Sequence, residues 1–427
     1  MTIDQEIHPF RGRLGRIMGL ALLGLWMSWW CLSLWTGRLR GNKWLWIPSD
    51  TIPVFGLDFI YVDKASRFWL AGGDPYLGDF GDPRCRVFHY PPISLPLFAW
   101  TSMVPPAMGN FIWMVASALL IAVGVCAALR NRREIGLRQI SLPLALAAVY
   151  FSTPVIFEMY RGNSDVVPLA MILVASRLLG GRRSATVDVA IGALLAVAFS
   201  VKMYPGAVAI GLVAMRRWRV LGGFVAACGL IWSVSPQLTR EFLEVNASYL
   251  ATNPQYRYRE GGLDVRLYYT WSHTLSYGWT YAEMPGFLSR IRGEWVAFLL
   301  VLPVIGYVSW ESFRRGLSKA LILPFLAWIT AVATFLPQIS NDYNLVFLPI
   351  AMLAVVTTQD KLNVNGLIFP SIIWLQPICL LPAEWPPQGG LMLLALKFLG
   401  TVGVGLALVA RIRESTIGPD QPAFGVR

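Results

Sequence analysis

IMGLALLGLWMSWWCLSLW, residues 17–35, is the stretch from which the rest of this chain is read. It carries no charged side chain, Arg16 precedes it and Arg38 follows it. About 20 consecutive apolar residues take an α-helix across a bilayer, and this run has that length. No short apolar core leads into a small-residue cleavage site, so the segment is expected to remain as an anchor and not to be removed as a signal peptide.

Working outward, apolar segments recur near 92–129, 140–158, 165–180, 188–202, 205–216, 220–235, 296–309, 319–337, 344–357, 366–382 and 391–410. Of the 427 residues 56% are hydrophobic and 14% charged, a membrane composition that excludes a soluble globular domain. The formal net charge of +12 would point to nucleic acid in a soluble chain. Here the cations fall in short loops, where the positive-inside rule puts them, so membrane lipids and no nucleic acid are the expected surroundings. The runs are Arg11, Arg13 and Arg16; Arg130, Arg132 and Arg133; Arg182 and Arg183; Arg216, Arg217 and Arg219; Arg314 and Arg315; and Arg411 and Arg413.

Holding those loops in the cytoplasm gives an all-α polytopic protein of about twelve transmembrane helices with both termini inside. The segment 92–129 is too long for one straight helix and is interrupted by Pro105 and Pro106. It reads as a kinked span or as a re-entrant piece followed by a span. The whole chain, 1–427, is expected to form one integral membrane domain. Large outer loops cover about 37–91 and 236–295, small ones 159–164, 338–343 and 383–390, and the polar tail of about 414–427 reads as disordered. The cysteines at 31, 85, 126, 228 and 379 have no metal or redox spacing.

Ionisable groups beside a bilayer are costly and mark pathways or sites. Soon after the first span come Asp58, Tyr61, Asp63 and Arg67, then Gly-Gly-Asp74-Pro-Tyr76. A carboxylate at Asp58 suits a helix cap, and also a general base; Asp63 and Arg67, four apart, suit a helical ion pair. His89-Tyr90-Pro91-Pro92 fixes how the loop re-enters the membrane, with His89 either binding substrate or simply hydrogen-bonded. Glu158-Met-Tyr-Arg161-Gly-Asn163-Ser-Asp165 is a polar hairpin. Arg161 suits a phosphate and Asn163 a hydroxyl, and a solvated turn with an Arg–Asp pair is the competing reading. Lys202 ends an apolar helix, as a snorkelling residue or as a fixed charge for an anionic headgroup. Asn341, Asp342, Tyr343 and Asn344 crowd a minimal linker more than a turn requires, and the 236–295 loop adds Arg266, His273 and many aromatic residues, which bind sugars and also populate membrane interfaces.

In this order the motifs resemble glycosyltransferase family 87, a group that includes polyprenol-phosphate-mannose-dependent mannosyltransferases. The matching pieces are Asp58 followed by Gly72 to Tyr76, the Tyr90 to Pro92 re-entry, the hairpin at Gly162, Lys202-x-x-Pro205 before the basic turn at Arg216, and Asp342-Tyr343-Asn344. They run from about 55 to 350. The chain departs from the family pattern at Arg161 to Asp165, where many members read Gly-Gln-x-Asn, and at Ser340 to Tyr343, where some carry Ser-x-x-His-His.

The resemblance implies a GT-C fold and a bacterial inner-membrane enzyme with its site on the periplasmic or extracellular side. It would move a sugar, mannose in the family, from a polyprenyl-phosphate donor to a lipid or glycan acceptor, with inversion and with Asp58 as base. Lys202, Arg161 and Arg266 are the expected donor-phosphate cations. Substrate contacts are expected from Tyr61, Asp74, Tyr76, His89, Tyr90, Asn163, Asp165, His273, Asn341, Asp342 and Tyr343. No cofactor and no metal are expected. A transporter or flippase of a lipid-linked sugar is the alternative, but it would place polar groups near mid-membrane and show repeated halves.

Overall fold

The computed structural model describes residues 16–28, 56–82, 86–130, 141–181, 184–252, 293–336, 342–357 and 387–415, and among the described residues all regular structure is helical. In chain order come α1 (Arg16–Ser28), α2 (Leu57–Leu70), α3 (Ser94–Phe98, running on as a 3-10 turn Ala99–Met103), α4 (Pro106–Arg130), α5 (Leu142–Tyr150), α6 (Thr153–Arg161), α7 (Val166–Leu179) and α8 (Ala185–Val201). They are followed by α9 (Val208–Ala214, led by the 3-10 turn Tyr204–Ala207), α10 (Trp218–Ser233), α11 (Pro236–Thr252), α12 (Gly293–Arg315), α13 (Lys319–Ala333), α14 (Phe347–Thr357, led by the 3-10 turn Asp342–Val346) and α15 (Pro387–Ser415).

Two stretches, Pro106–Leu129 and Ala395–Ser415, are long and apolar enough to cross a membrane. The count rises to four if the bent pairs α5–α6 and α10–α11 each make one span. Helices α7 and α8 are shorter than a straight bilayer crossing needs: at about 1.5 Å per residue α7, with 14 residues, is roughly 21 Å long. The described helices make an all-helical membrane protein, in which two to four spans are met by length and composition among the described residues. The expected span at 366–382 lies outside the described residues.

Helix α4 shows why the composition is apolar on every face. Met108, Phe111, Ile112, Val115, Leu119 and Val123 form an exposed stripe, as suits a surface whose solvent is lipid. Trp113, Met114, Ile121 and Val125, on the other side, are buried in the bundle. At its start Val104 is extended (φ −130°, ψ 155°), because the ring of Pro105 disfavours helical backbone in the residue before it. The 92–129 segment is thus a short helical piece followed by one long helix.

The expected single helix at 140–158 is instead a pair bent by 67°. Pro154 has no N–H to continue the α5 ladder, so the chain passes through extended Ser152 and restarts as α6. Helices α8 and α10 lie against each other through Gly192 and Gly223: a Cβ on Gly192 would stand 2.4 Å from the Val220 carbonyl oxygen. Backbones approach this closely only where side chains are absent.

Several basic turns meet at one end of the bundle. Arg217 donates to the Leu179 carbonyl at 2.7 Å, and Arg216 to the Phe313 carbonyl at 3.1 Å. Arg413 donates to Glu311 at 2.9 Å, the carboxylate that also accepts from Arg315. The ends of α7, α9 and α12 are thereby tied together, and the opposite ends of α7 and α8 carry Asp165 and Lys202.

Candidate active site

Two glycines bring the site together. Gly56 (φ +73°) precedes α2 and Gly162 (φ +63°) ends α6, both in the left-handed region that a side chain disfavours. The Gly56 amide donates to the Tyr160 carbonyl at 2.9 Å, and a Cβ on Gly162 would stand 3.1 Å from both the Gly56 Cα and the Phe59 Cβ. Trp113 of α4 braces the same corner by donating to the Gly162 carbonyl at 3.0 Å. The first turn of α2, with Asp58, is thereby set against the last turn of α6, with Arg161.

Asp58 is 3% exposed and its carboxylate is fully occupied. Arg161 grips it with a two-pronged fork, Nη2 to Oδ1 at 2.7 Å and Nε to Oδ2 at 3.0 Å. Arg86 Nη1 donates to Oδ1 at 2.8 Å and Asn163 Nδ2 to Oδ2 at 3.2 Å. Burial by itself would raise the Asp58 carboxyl, but the Arg161 and Arg86 charges override it and hold the group well below its ordinary range. In this arrangement Asp58 is ionised and weakly basic.

Arg86 is fixed by Asp82, which accepts from its Nε and Nη2 at 3.0 Å each. Its guanidinium lies over the Tyr61 ring, 4.2 Å from the centroid. The Tyr61 hydroxyl bonds to the Val87 carbonyl and His89 Nδ1, both at 2.7 Å, and accepts from the His89 amide at 2.9 Å. Burial, reinforced by the Arg86 and Lys202 charges, pushes His89 down from 6.5 to about 3, so its ring is neutral.

A second group adjoins the first. Lys202 Nζ lies 3.5 Å from Asp165 Oδ1 and 4.0 Å from the centroid of the Tyr90 ring. Asn344 donates to Asp165 Oδ2 at 2.6 Å. Tyr90 links the two groups, its hydroxyl 3.5 Å from Asn163 Oδ1, and Tyr76 supports it by donating to the Tyr90 carbonyl at 2.6 Å.

Of the residues expected from sequence, Asp58, Tyr61, Tyr90, Arg161, Asn163, Asp165 and Lys202 are brought together, with His89 and Tyr76 behind them. The hairpin is not a solvated turn: Glu158 to Asp165 are buried, and Arg161 pairs with Asp58 rather than Asp165. Asp74 turns inward on its own loop and accepts from the Tyr76 amide at 2.9 Å. Asp63 and Arg67 form the expected helical ion pair at 2.8 Å, and Arg67 also reaches the Thr101 and Val104 carbonyls. For Asp342 and Tyr343 the structure describes the backbone turn alone. Asn341, Arg266 and His273 lie outside the described residues. Among the described residues no group of three or more His, Cys, Asp or Glu side chains could hold a metal ion.

Sequence reasoning passed over Arg86, Asp82, Asn344 and Glu158 as site residues. A basic residue just before the Tyr-Pro-Pro re-entry, on the side that positive charges avoid, was the available signal for Arg86. Glu158 and Asn344 stood within the quoted motifs.

Helices of this composition around an enclosed cluster of carboxylates, guanidiniums and an ammonium define a membrane protein with a buried charged site. Residues 88–292 match the model of glycosyltransferase family 87. Over those residues, just under half of the chain, it is similar to that family, a match that supports a glycosyltransferase. The matched residues include Arg161, Asn163, Asp165 and Lys202, while Asp58 and Arg86 precede them. No curated protein and no solved structure matches the chain.

Proposed function

We propose that this chain is a glycosyltransferase that moves a sugar, mannose in the first instance, from a polyprenyl phosphate to a hydroxyl of a lipid or glycan acceptor at the outer face of the membrane. The observation that carries the reading is the Asp58 carboxylate held between Arg161 and Arg86. It joins the two functions the reaction needs, a proton acceptor and cations that recognise a phosphate in the plane of a guanidinium fork. The gathering of basic turns at the other end of α7, α9 and α12 supports an outward-facing site.

In this mechanism the donor phosphate competes for Arg161 and draws its fork from Asp58. Losing that partner restores basicity to the carboxylate, so donor binding prepares the base. Asp58 then takes the proton of the acceptor hydroxyl while its oxygen attacks the anomeric carbon. The bond from that carbon to the phosphate oxygen breaks, its electron pair leaves with the polyprenyl phosphate, and the configuration inverts. The leaving group departs as an anion and needs positive charge instead of a general acid, which Arg161 and Lys202 supply.

The test is transfer of radiolabelled mannose from synthetic polyprenyl-phosphate mannose to membrane lipid extract by the purified protein, wild type beside Asp58→Asn. The expected result is transfer by the wild type and none by the folded fraction of the variant. Transfer by folded Asp58→Asn would refute the base assignment, and no transfer by the wild type would refute this donor.

A further inference from the structure

Glu158 is a buried titratable group beside the site that the proposed mechanism leaves idle. It lies on α6, three residues before Arg161, and is 1% exposed. Neither carboxyl oxygen has a hydrogen-bond partner. The Val166 amide at the start of α7 faces it without reaching hydrogen-bond geometry. Its charged neighbours are Asp165, Lys202 and Asp58, so it is close to both the Asp58–Arg161 group and the Asp165–Lys202 group. The fork of Arg161 is turned to Asp58 and the ammonium of Lys202 to Asp165. Other buried carboxylates of this site, Asp58, Asp82 and Asp165, accept at least one hydrogen bond each.

A carboxyl group withdrawn from water with no donor to meet it is among the costlier groups a fold can enclose. That cost is recovered only when donors arrive. On the glycosyltransferase reading, the ligand that enters between the two groups carries a phosphate, for Arg161 and Lys202, and ring hydroxyls beside it. Two adjacent hydroxyls on a sugar ring present two O–H donors at a spacing that one carboxylate accepts with both oxygens.

We propose that Glu158 is a specificity-determining residue that accepts hydrogen bonds from neighbouring ring hydroxyls of the transferred sugar. The inference rests on the reading of the site as that of a sugar-phosphate donor. It gives the enzyme a means of choosing among sugars that is separate from the phosphate cations and from the base. A carboxamide has one acceptor oxygen and a donor NH2, so Glu158→Gln keeps the shape and loses the double acceptance.

The experiment compares wild type and Glu158→Gln for binding polyprenyl-phosphate mannose and analogues lacking one ring hydroxyl at a time, read by intrinsic tryptophan fluorescence of the purified full chain. Thermal unfolding confirms that the variant is folded, and mannose transfer is measured in parallel. Removing a contacted hydroxyl is expected to weaken binding to the wild type roughly 10- to 100-fold. The same removal should change binding to Glu158→Gln several-fold less. Equal penalties in the two proteins for every analogue would overturn the assignment of Glu158 while leaving the enzyme reading intact. Hydroxyl penalties that shrink in Glu158→Gln, without transfer by the wild type, would support Glu158 and refute this sugar phosphate as the donor. Absence of binding by the wild type would overturn both.

Discussion

Replacing Asp58 by Asn tests the central ion-pair arrangement before any chemistry is measured. The carboxylate receives four hydrogen bonds, two from Arg161 and one each from Arg86 and Asn163. Arg86 keeps its paired bonds to Asp82 in the variant, so the cost falls mainly on Arg161, which loses both prongs of its fork. The asparagine either turns its oxygen to one prong and its NH2 against the other, or shifts away from both. Removing one member of a buried charge pair typically costs about 3–5 kcal/mol. The variant should therefore unfold several degrees below the wild type in the same detergent, contrary to a simple isosteric expectation. Because Arg161→Gln removes the same interaction, the double variant should be less unstable than the sum of the singles, with a coupling of about 2–3 kcal/mol. Additive losses, or an Asp58→Asn midpoint equal to the wild type, would refute the ion pair as the element that holds this site.

Gly162→Ala must adopt left-handed backbone and press its Cβ on Gly56 and Phe59, so a loss of about 1–3 kcal/mol and weakened transfer are expected. A variant as stable and active as the wild type would show that the α2–α6 corner is looser than described. His89, held neutral by burial and by the Arg86 and Lys202 charges, should show no titration by NMR of labelled histidine above pH 5. Unfolded histidine takes up its proton below pH 6.5 while the folded ring resists until about 3, so His89 favours folding fully above pH 6.5 and progressively less toward pH 3. A midpoint near 6.5 in the folded protein would contradict its enclosure.

Much of the fold was legible because its signals are local. Apolar runs mark the helices, and the four-residue spacing of Asp63 and Arg67 marks their ion pair. Helix lengths were less legible: Pro154 divides what composition joins, and nothing in a hydropathy run reveals the 67° bend. Asp58, Arg161 and Lys202 could be nominated one by one from charge beside apolar sequence. Their arrangement could not, since the Asp58–Arg161 contact joins residues 103 apart and depends on a backbone approach at Gly56 and Gly162. Asp74 shows the opposite case, a prominent motif carboxylate whose hydrogen bond is to the turn that bears it.

The four charged members of the Asp58 group are made at two different times. Asp58, Asp82 and Arg86 emerge from the ribosome within one short stretch, and with Arg86 able to pair with both carboxylates they carry one uncompensated negative charge. Arg161 follows Asp58 by 103 residues, which at about 5–20 residues per second is a delay of about 5–20 s. Through that interval the nascent chain holds an unbalanced acidic segment beside the bilayer. The arrival of α6 then both closes the corner and neutralises it, making electrostatic balance a late checkpoint in the biogenesis of the site.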